Sequence, residues 1–369
     1  MNYLNALLLH LIGFWAFCKH NVYVFSLKDN SLLAKIPLLR DVTSVQDTCT
    51  ISNPDGILVL ISSNAGQALL LLSTQSLSLS IVTTFSRSPM VTTISSICAN
   101  DTLILYGTEG GSISAITVSL LPTKISYSSP VTLSCPTSSA SSKFVFADGK
   151  DRNPNFVFVS SIQFLFADES SNYYMVVGYS FGFFQTVKLS YNLGEFNFGV
   201  LHYSFVSEEA ELRCEEVMLA PIIPAVLSFT YLPLRNCLYV TGGTHWNSEA
   251  QLPSVISRYS LDRVCNISGD VTRFDLPSIS LMTSPLIVSS SDHDYELYFC
   301  GKGSDETGAE GLCACSVSET GYDIFPLFEL SGSIICFSPV QHSKVLHISS
   351  FSNASVIVVS STGLFFLCY

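Results

Sequence analysis

GILVLISSNAGQALLLLS, residues 56–73, is two apolar runs joined by a short turn. Neither run alternates between apolar and polar residues, so a strand made from either must be covered on both faces. Asn64-Ala65-Gly66 supplies the turn, because asparagine and glycine tolerate the positive φ that tight hairpins demand. The stretch predicts a hairpin that cannot stand alone in water and must be stacked.

The same unit recurs along the chain. VYVFSL (22–27) returns as SLLAKI, TLILYGT (102–108) as SISAITV, YYMVVGYS (173–180) as FFQTVKLS and CLYVTGG (237–243) as SVISRYSL. YELYFCG (295–301) returns as GLCACSV and ASVIVVS (354–360) as LFFLCY, which brings the hairpins to seven. Radial stacking of small antiparallel sheets buries both faces of each sheet and leaves only short edges. The expectation is therefore an all-β, seven-bladed β-propeller, with about 50 residues available per blade. A β-sandwich with extra hairpins is the rival, although sandwiches rarely need so many similar units. Spacing between units widens after the third, so the later blades are expected to carry insertions. No Trp-Asp dipeptide closes any unit, and a double glycine of kelch type stands out once, at Gly242-Gly243.

Charged residues are 12% of the chain and apolar residues 48%, with a formal net charge of −12. A nucleic-acid partner is excluded on this balance, since phosphate binding needs a basic stripe and the sequence has none. The acidic excess suits solubility and weak steering toward basic partners.

Residues 6–18, ALLLHLIGFWAFC, form an apolar run too short to cross a bilayer and of the length of a secretory signal core. Ala16 and Cys18 are small residues placed for a cut before Lys19, so residues 1–18 are expected to be a signal peptide and residues 19–369 a single propeller domain. A buried first strand is the alternative, and the absence of Lys or Arg before the run favours it. No later segment has the ~20 apolar residues of a membrane-spanning helix.

Without Cys18, eleven cysteines remain, scattered through the units with no Cys-x-x-Cys or paired histidines at zinc-site spacing. No metal or other cofactor is expected. Asn100, Asn266 and Asn353 open glycosylation sequons, about as many as a chain this rich in Ser and Thr gives by chance. The sequence has no Gly-x-Ser-x-Gly elbow, Walker A loop or His-Glu-x-x-His helix, so no catalytic residue is assigned and the chain is expected not to be an enzyme. Asp292-His293-Asp294 reads as a solvated turn rather than an acid–base cluster. A secreted propeller hydrolase, which would need paired carboxylates, is a third reading.

Between the fourth and fifth hairpins the β pattern breaks. SEEAELRCEEVML, residues 207–219, begins with an N-capping serine and acids in the first turn, and Pro221 and Pro224 follow its end; it predicts a helix. Residues 191–236 are accordingly expected to project as an insertion. Glu208, Glu209, Glu211, Glu215 and Glu216, beside the apolar MLAPIIPAVLSFTYLPL, make it the candidate partner-binding segment. Packing of that apolar run against its own blade is the alternative.

Residues 158–189, FVSSIQFLFADESSNYYMVVGYSFGFFQTVKL, resemble the Phe-Val-Ser-Ser strand, aromatic strand, Gly-Phe turn and return strand of plexins and the hepatocyte growth factor receptor. VISRYSL (255–261) is similar to the Ile-x-Arg strand that follows in those proteins, and residues 295–317 to their Leu-Tyr and Leu-Cys-Ala hairpin. These stretches mark a resemblance to the sema domain, plexin-like rather than semaphorin-like, over about half the chain. The resemblance implies a non-catalytic extracellular recognition module, secreted or on the outer side of the plasma membrane. It implies a semaphorin- or plexin-type protein as partner, or a second copy of the chain. It also places Cys313 at a bridging position whose usual partner site is Ser260 here, so the nearest thiol, Cys265, becomes the candidate partner. An intracellular kelch-like or WD-like propeller scaffold is the alternative to this extracellular reading.

Overall fold

The computed structural model describes residues 4–368 apart from 134–157, 207–224, 244–253, 341–354 and shorter connections; side chains are described between Trp15 and Arg273. The described residues form only strands, gathered in seven antiparallel sheets.

The first sheet is β1 (Leu4–His10), β2 (Gly13–Cys18), β3 (Asn21–Phe25) and β4 (Leu32–Pro37). The second is β5 (Val42–Ser52), β6 (Asp55–Ser63), β7 (Gly66–Ser73) and β8 (Leu79–Phe85). In the third, β9 (Val91–Cys98), β10 (Thr102–Thr108) and β11 (Ile113–Leu121) pair in order, and β12 (Lys124–Tyr127) and β13 (Val131–Leu133) both pair with β11. The fourth is β14 (Val159–Ala167), β15 (Asn172–Tyr179), β16 (Phe183–Asn192) and β17 (Glu195–Phe205). The fifth is β18 (Ala225–Leu232), β19 (Cys237–Gly243), β20 (Ser254–Leu261) and β21 (Ile267–Leu276). In the sixth, β22 (Ile279–Leu281) and β23 (Leu286–Ser289) share the edge of β24 (Tyr295–Gly303), followed by β25 (Glu310–Val317) and β26 (Tyr322–Glu329). The seventh is β27 (Ile334–Val340), β28 (Ser355–Ser360) and β29 (Leu364–Cys368).

The unbroken apolar runs are the middle strands, and successive side chains serve two different interfaces. On β6, Ile57, Val59 and Ile61 join Trp15, Phe17 and Val24 of the first sheet. Leu58 and Leu60 turn the other way, onto Ile94 and Ile104 of the third sheet. On β15, Met175 and Val177 pack with Leu103 and Leu105 of the third sheet, whereas Tyr174 and Val176 pack with Val226, Leu238 and Val240 of the fifth. A side chain of this size contributes about 1.5–3 kcal/mol when fully buried, so each interface between sheets is a core in its own right. Neighbouring first strands lie against one another from β1 to β5, β9, β14 and β18, and β27 lies against β1.

Close approach between sheets is made at glycines. A Cβ on Gly107 of β10 would overlap Val159 of β14, and one on Gly178 of β15 would overlap Val226 of β18 and come within 2.9 Å of the Phe229 ring. A glycine near the end of a middle strand thus lets the next sheet's first strand cross against it.

Three expectations are corrected. Residues 4–18, read as a signal peptide, are the first two strands of a sheet, with Trp15 and Phe17 at 0% exposure in its core. An apolar run reads alike as leader or as a strand covered on both faces, and here packing made it strand. The first hairpin is consequently shifted by one: the two middle strands are β2 and β3, and SLLAKI lies in the outer strand. Within residues 191–236, expected to project as an insertion, Glu195–Phe205 and Ala225–Leu232 are instead the sheet strands β17 and β18. Val226 and Phe229 are buried there, as the packed alternative had it. The helix expected at 207–219 lies outside the described residues.

Candidate functional site

The first strands differ in kind from the middle ones. β5 (VTSVQDTCTIS) and β9 (VTTISSIC) carry serines and threonines among their apolar residues, and so does the start of β14. Where these three strands meet they leave a cavity of about 370 Å³ lined by residues 47–50, 93–96 and 161–164. Hydroxyls, the Gln163 amide and the Asp47 carboxylate supply its polar groups, beside Cys49, Ile94, Ile162 and Phe164, and no Lys, Arg or His lines it among the described residues.

A β-bulge sets the position of Asp47. The register of β5 on β6 slips between Val45 and Asp47, which leaves Gln46 as the extra residue and re-aims the next side chain. Asp47 Oδ2 accepts hydrogen bonds from Thr93 Oγ1 at 2.8 Å and from the Ile94 amide at 2.9 Å. Its Oδ1 accepts one from the Thr48 amide at 2.8 Å. Burial pushes the Asp47 carboxyl above the usual aspartate range, against the opposing pull of the bonds from Ile94, Thr93 and Thr48. The side chain nevertheless keeps part of its surface at the cavity.

Further side-chain clips fasten the neighbouring sheets. Gln67 Nε2 donates to the Val91 carbonyl at 2.8 Å while its Oε1 accepts from the Val91 amide at 2.7 Å. Ser96 Oγ donates to the Thr50 carbonyl at 2.7 Å, and Thr92 Oγ1 to the Val159 carbonyl at 2.6 Å. A polar group that bonds a neighbouring backbone is costly to leave unpaired, so these clips hold the cavity walls in one geometry.

Two turns share a second, local device. In residues 168–172 and 262–266, an aspartate carboxylate folds onto its own loop. Asp168 accepts from the amides of Ser170 and Asn172, both at 2.9 Å, and from Asn172 Nδ2 at 2.7 Å. Asp262 accepts from the amides of Val264 and Asn266, both at 2.8 Å, and from Asn266 Nδ2 at 2.9 Å. The fourth residue is left-handed in each, Ser171 at φ 60° and Cys265 at φ 62°. Desolvation opposes ionisation of both aspartates, but the asparagine-led hydrogen bonds outweigh it and hold their carboxyls below the usual range.

That geometry bears on the residues the sequence singled out. Cys265 is a buried free thiol, pushed up to about 12 by burial and then by the Asp262 charge. The left-handed loop turns Cys265 into the core between the fourth and fifth sheets. Cys313 stands on β25 opposite Phe299, with its side chain outside the described residues. Asn266 is half-buried, and the nitrogen that would carry a glycan is the one donating to Asp262. Asn100, Asn353, Asp292-His293-Asp294 and all five of Glu208, Glu209, Glu211, Glu215 and Glu216 lie outside the described residues. Asp47 and its partners escaped the sequence reading. The signal available was the density of hydroxyl residues in the strands flanking each apolar hairpin. Among the described residues no cluster of three His, Cys, Asp or Glu could hold a metal ion, and no helix is long and apolar enough to cross a membrane.

No protein-family model matches the chain, and no curated protein does. Solved structures do. The β-propeller domain of Nup133 from Vanderwaltozyma polyspora aligns over 96% of this chain and 90% of its own, with a TM-score of 0.60 and 14% identity. A chain of the mitotic checkpoint complex aligns over 100% and 88%, with a TM-score of 0.56 and 11% identity. One from the complex of BBS1N with ARL6DN aligns over 99% and 91%, with a TM-score of 0.51 and 10% identity. The fold is that of a β-propeller. None of the three is a sema domain, and the segment on which secretion rested is core strand. The extracellular placement is corrected accordingly.

Proposed function

We propose that the chain is a seven-bladed, non-catalytic propeller that serves inside the cell as a scaffold for protein assembly. The observation that carries this reading is the polar cavity at the meeting of β5, β9 and β14, whose walls are fixed by the Asp47, Gln67, Ser96 and Thr92 clips. A rigid platform with an open polar recess loses little conformational entropy on binding, which favours recognition of a partner. Two of the similar structures are themselves parts of complexes, with ARL6DN and in the mitotic checkpoint. Sema-type ancestry stands as a separate proposal on the order of the stretches at 158–189, 255–261 and 295–317 alone.

The test is expression of the full chain with a C-terminal tag in animal cells. The expected product is intracellular, keeps residues 1–18, and elutes from gel filtration in an assembly larger than the monomer. Secretion with Lys19 at the N-terminus, or elution as a monomer alone, would overturn the reading.

A further inference from the structure

We infer that the cavity between β5, β9 and β14 seats a single basic side chain presented by a partner protein, with Asp47 as its counter-ion. The inference deepens the scaffold reading and rests on it. An ionised carboxylate offers about four acceptor positions. Asp47 uses three, all on neutral donors: Thr48 N on Oδ1, Thr93 Oγ1 and Ile94 N on Oδ2. The remaining position is on Oδ1. Among the described residues no cation lines the cavity, so none of them pairs with the charge there. A partly buried carboxylate bonded only to neutral donors keeps its charge uncompensated, and a cation arriving from outside offsets it.

The rest of the lining suits the same guest. The side chains of Ser95, Ser161 and Gln163 border the cavity and make no hydrogen bond among the described residues. Their oxygens can accept the remaining N–H groups of a guanidinium, which carries five donors and no acceptor. About 370 Å³ is room for roughly a dozen waters, enough for one long side chain and its residual solvent. The net charge of −12 draws a basic partner toward the surface. The cavity then selects one side chain from it by geometry.

The experiment uses the full-length protein and three tripeptides, acetyl-Gly-Xaa-Gly-amide with Xaa arginine, lysine or citrulline, followed by titration calorimetry at low salt. Citrulline keeps the shape of arginine and removes its charge. The arginine peptide is expected to bind at least about tenfold more tightly than citrulline, with lysine between them. Asp47→Asn and Ser161→Arg should each abolish the difference. Ser161→Arg leaves the carboxylate and its three hydrogen bonds intact and places a cation of the chain's own in the cavity, so a folding defect in Asp47→Asn would not obscure the result. Equal binding of arginine and citrulline peptides, or arginine binding unchanged in Ser161→Arg, overturns the inference and assigns any attraction to general surface charge. The scaffold reading fails separately: a chain that is monomeric in cells but discriminates the peptides sinks only the scaffold, and an assembly that forms without peptide discrimination sinks only this proposal.

Discussion

Replacing Gly178 by alanine tests whether adjacent sheets touch as closely as the structure has them. The added methyl would overlap Val226 Cγ1, and would lie 2.9 Å from both Val226 Cβ and Phe229 Cζ. Val226 is fully buried and Phe229 is 6% exposed, so neither can swing into solvent, and the backbone of β18 must give way. Overpacking of this kind costs about 1–3 kcal/mol. Val226→Ala alone removes two methyl groups, about 1.6 kcal/mol of transfer free energy, plus a cavity contribution that brings the total to roughly 2 kcal/mol. In the double variant the new methyl occupies the space left by the valine, so the pair should be less destabilised than the sum by about 1–2 kcal/mol. Urea unfolding of the four proteins, followed by tryptophan fluorescence and compared at unchanged m, measures the coupling. Additivity within about 0.5 kcal/mol, or a Gly178→Ala protein as stable as the parent, would refute the contact.

Trp15→Ala should cost about 3–5 kcal/mol, since the ring is fully buried between the first and second sheets; a surface-like change in the urea midpoint would return residues 1–18 to the role of a leader. Cys265 should resist an aromatic disulfide reagent at neutral pH in the folded protein and react once urea is added, because a thiol pushed up to about 12 holds almost no thiolate; prompt labelling at Cys265 itself, located by peptide mapping of the native protein, would contradict its burial. Stability should also respond to pH in two opposite ways. Burial raises the Asp47 pKa, so its contribution is greatest at or below the ordinary aspartate range and falls as pH climbs through the folded-state pKa. The lowered pKa values of Asp168 and Asp262 give stability that is present above the ordinary range and lost as pH falls through them. Asp47→Asn should therefore gain on the parent as pH rises, and a difference in urea midpoint that stays constant with pH would count against the burial of this carboxylate.

What the sequence determined by itself is the set of middle strands. β6 and β7, β10 and β11, β15 and β16, and β19 and β20 are legible because a strand covered on both faces is mostly apolar and lacks the strict alternation of a half-exposed strand. Their turns are legible too: Gly66 and Gly110 adopt φ of 142° and 88°, a conformation that side chains resist. At the N-terminus the same rule misleads, because a leader and a doubly covered strand obey one composition, and only the packing of Trp15 and Phe17 against Ile57 and Val59 distinguishes them. The tertiary structure alone decided the flanking strands and the cavity. Asp47, Thr93 and Ser161 are far apart in sequence, each sits in an unremarkable stretch of serines and threonines, and their meeting depends on a bulge in β5 and on the stacking of three sheets. Cys265 makes the same point at the scale of one loop. The resemblance to the sema domain offered it as a partner for Cys313, whereas its direction is set by a left-handed φ of 62° and by the Asp262 carboxylate folded beneath it, a local geometry that family likeness does not encode.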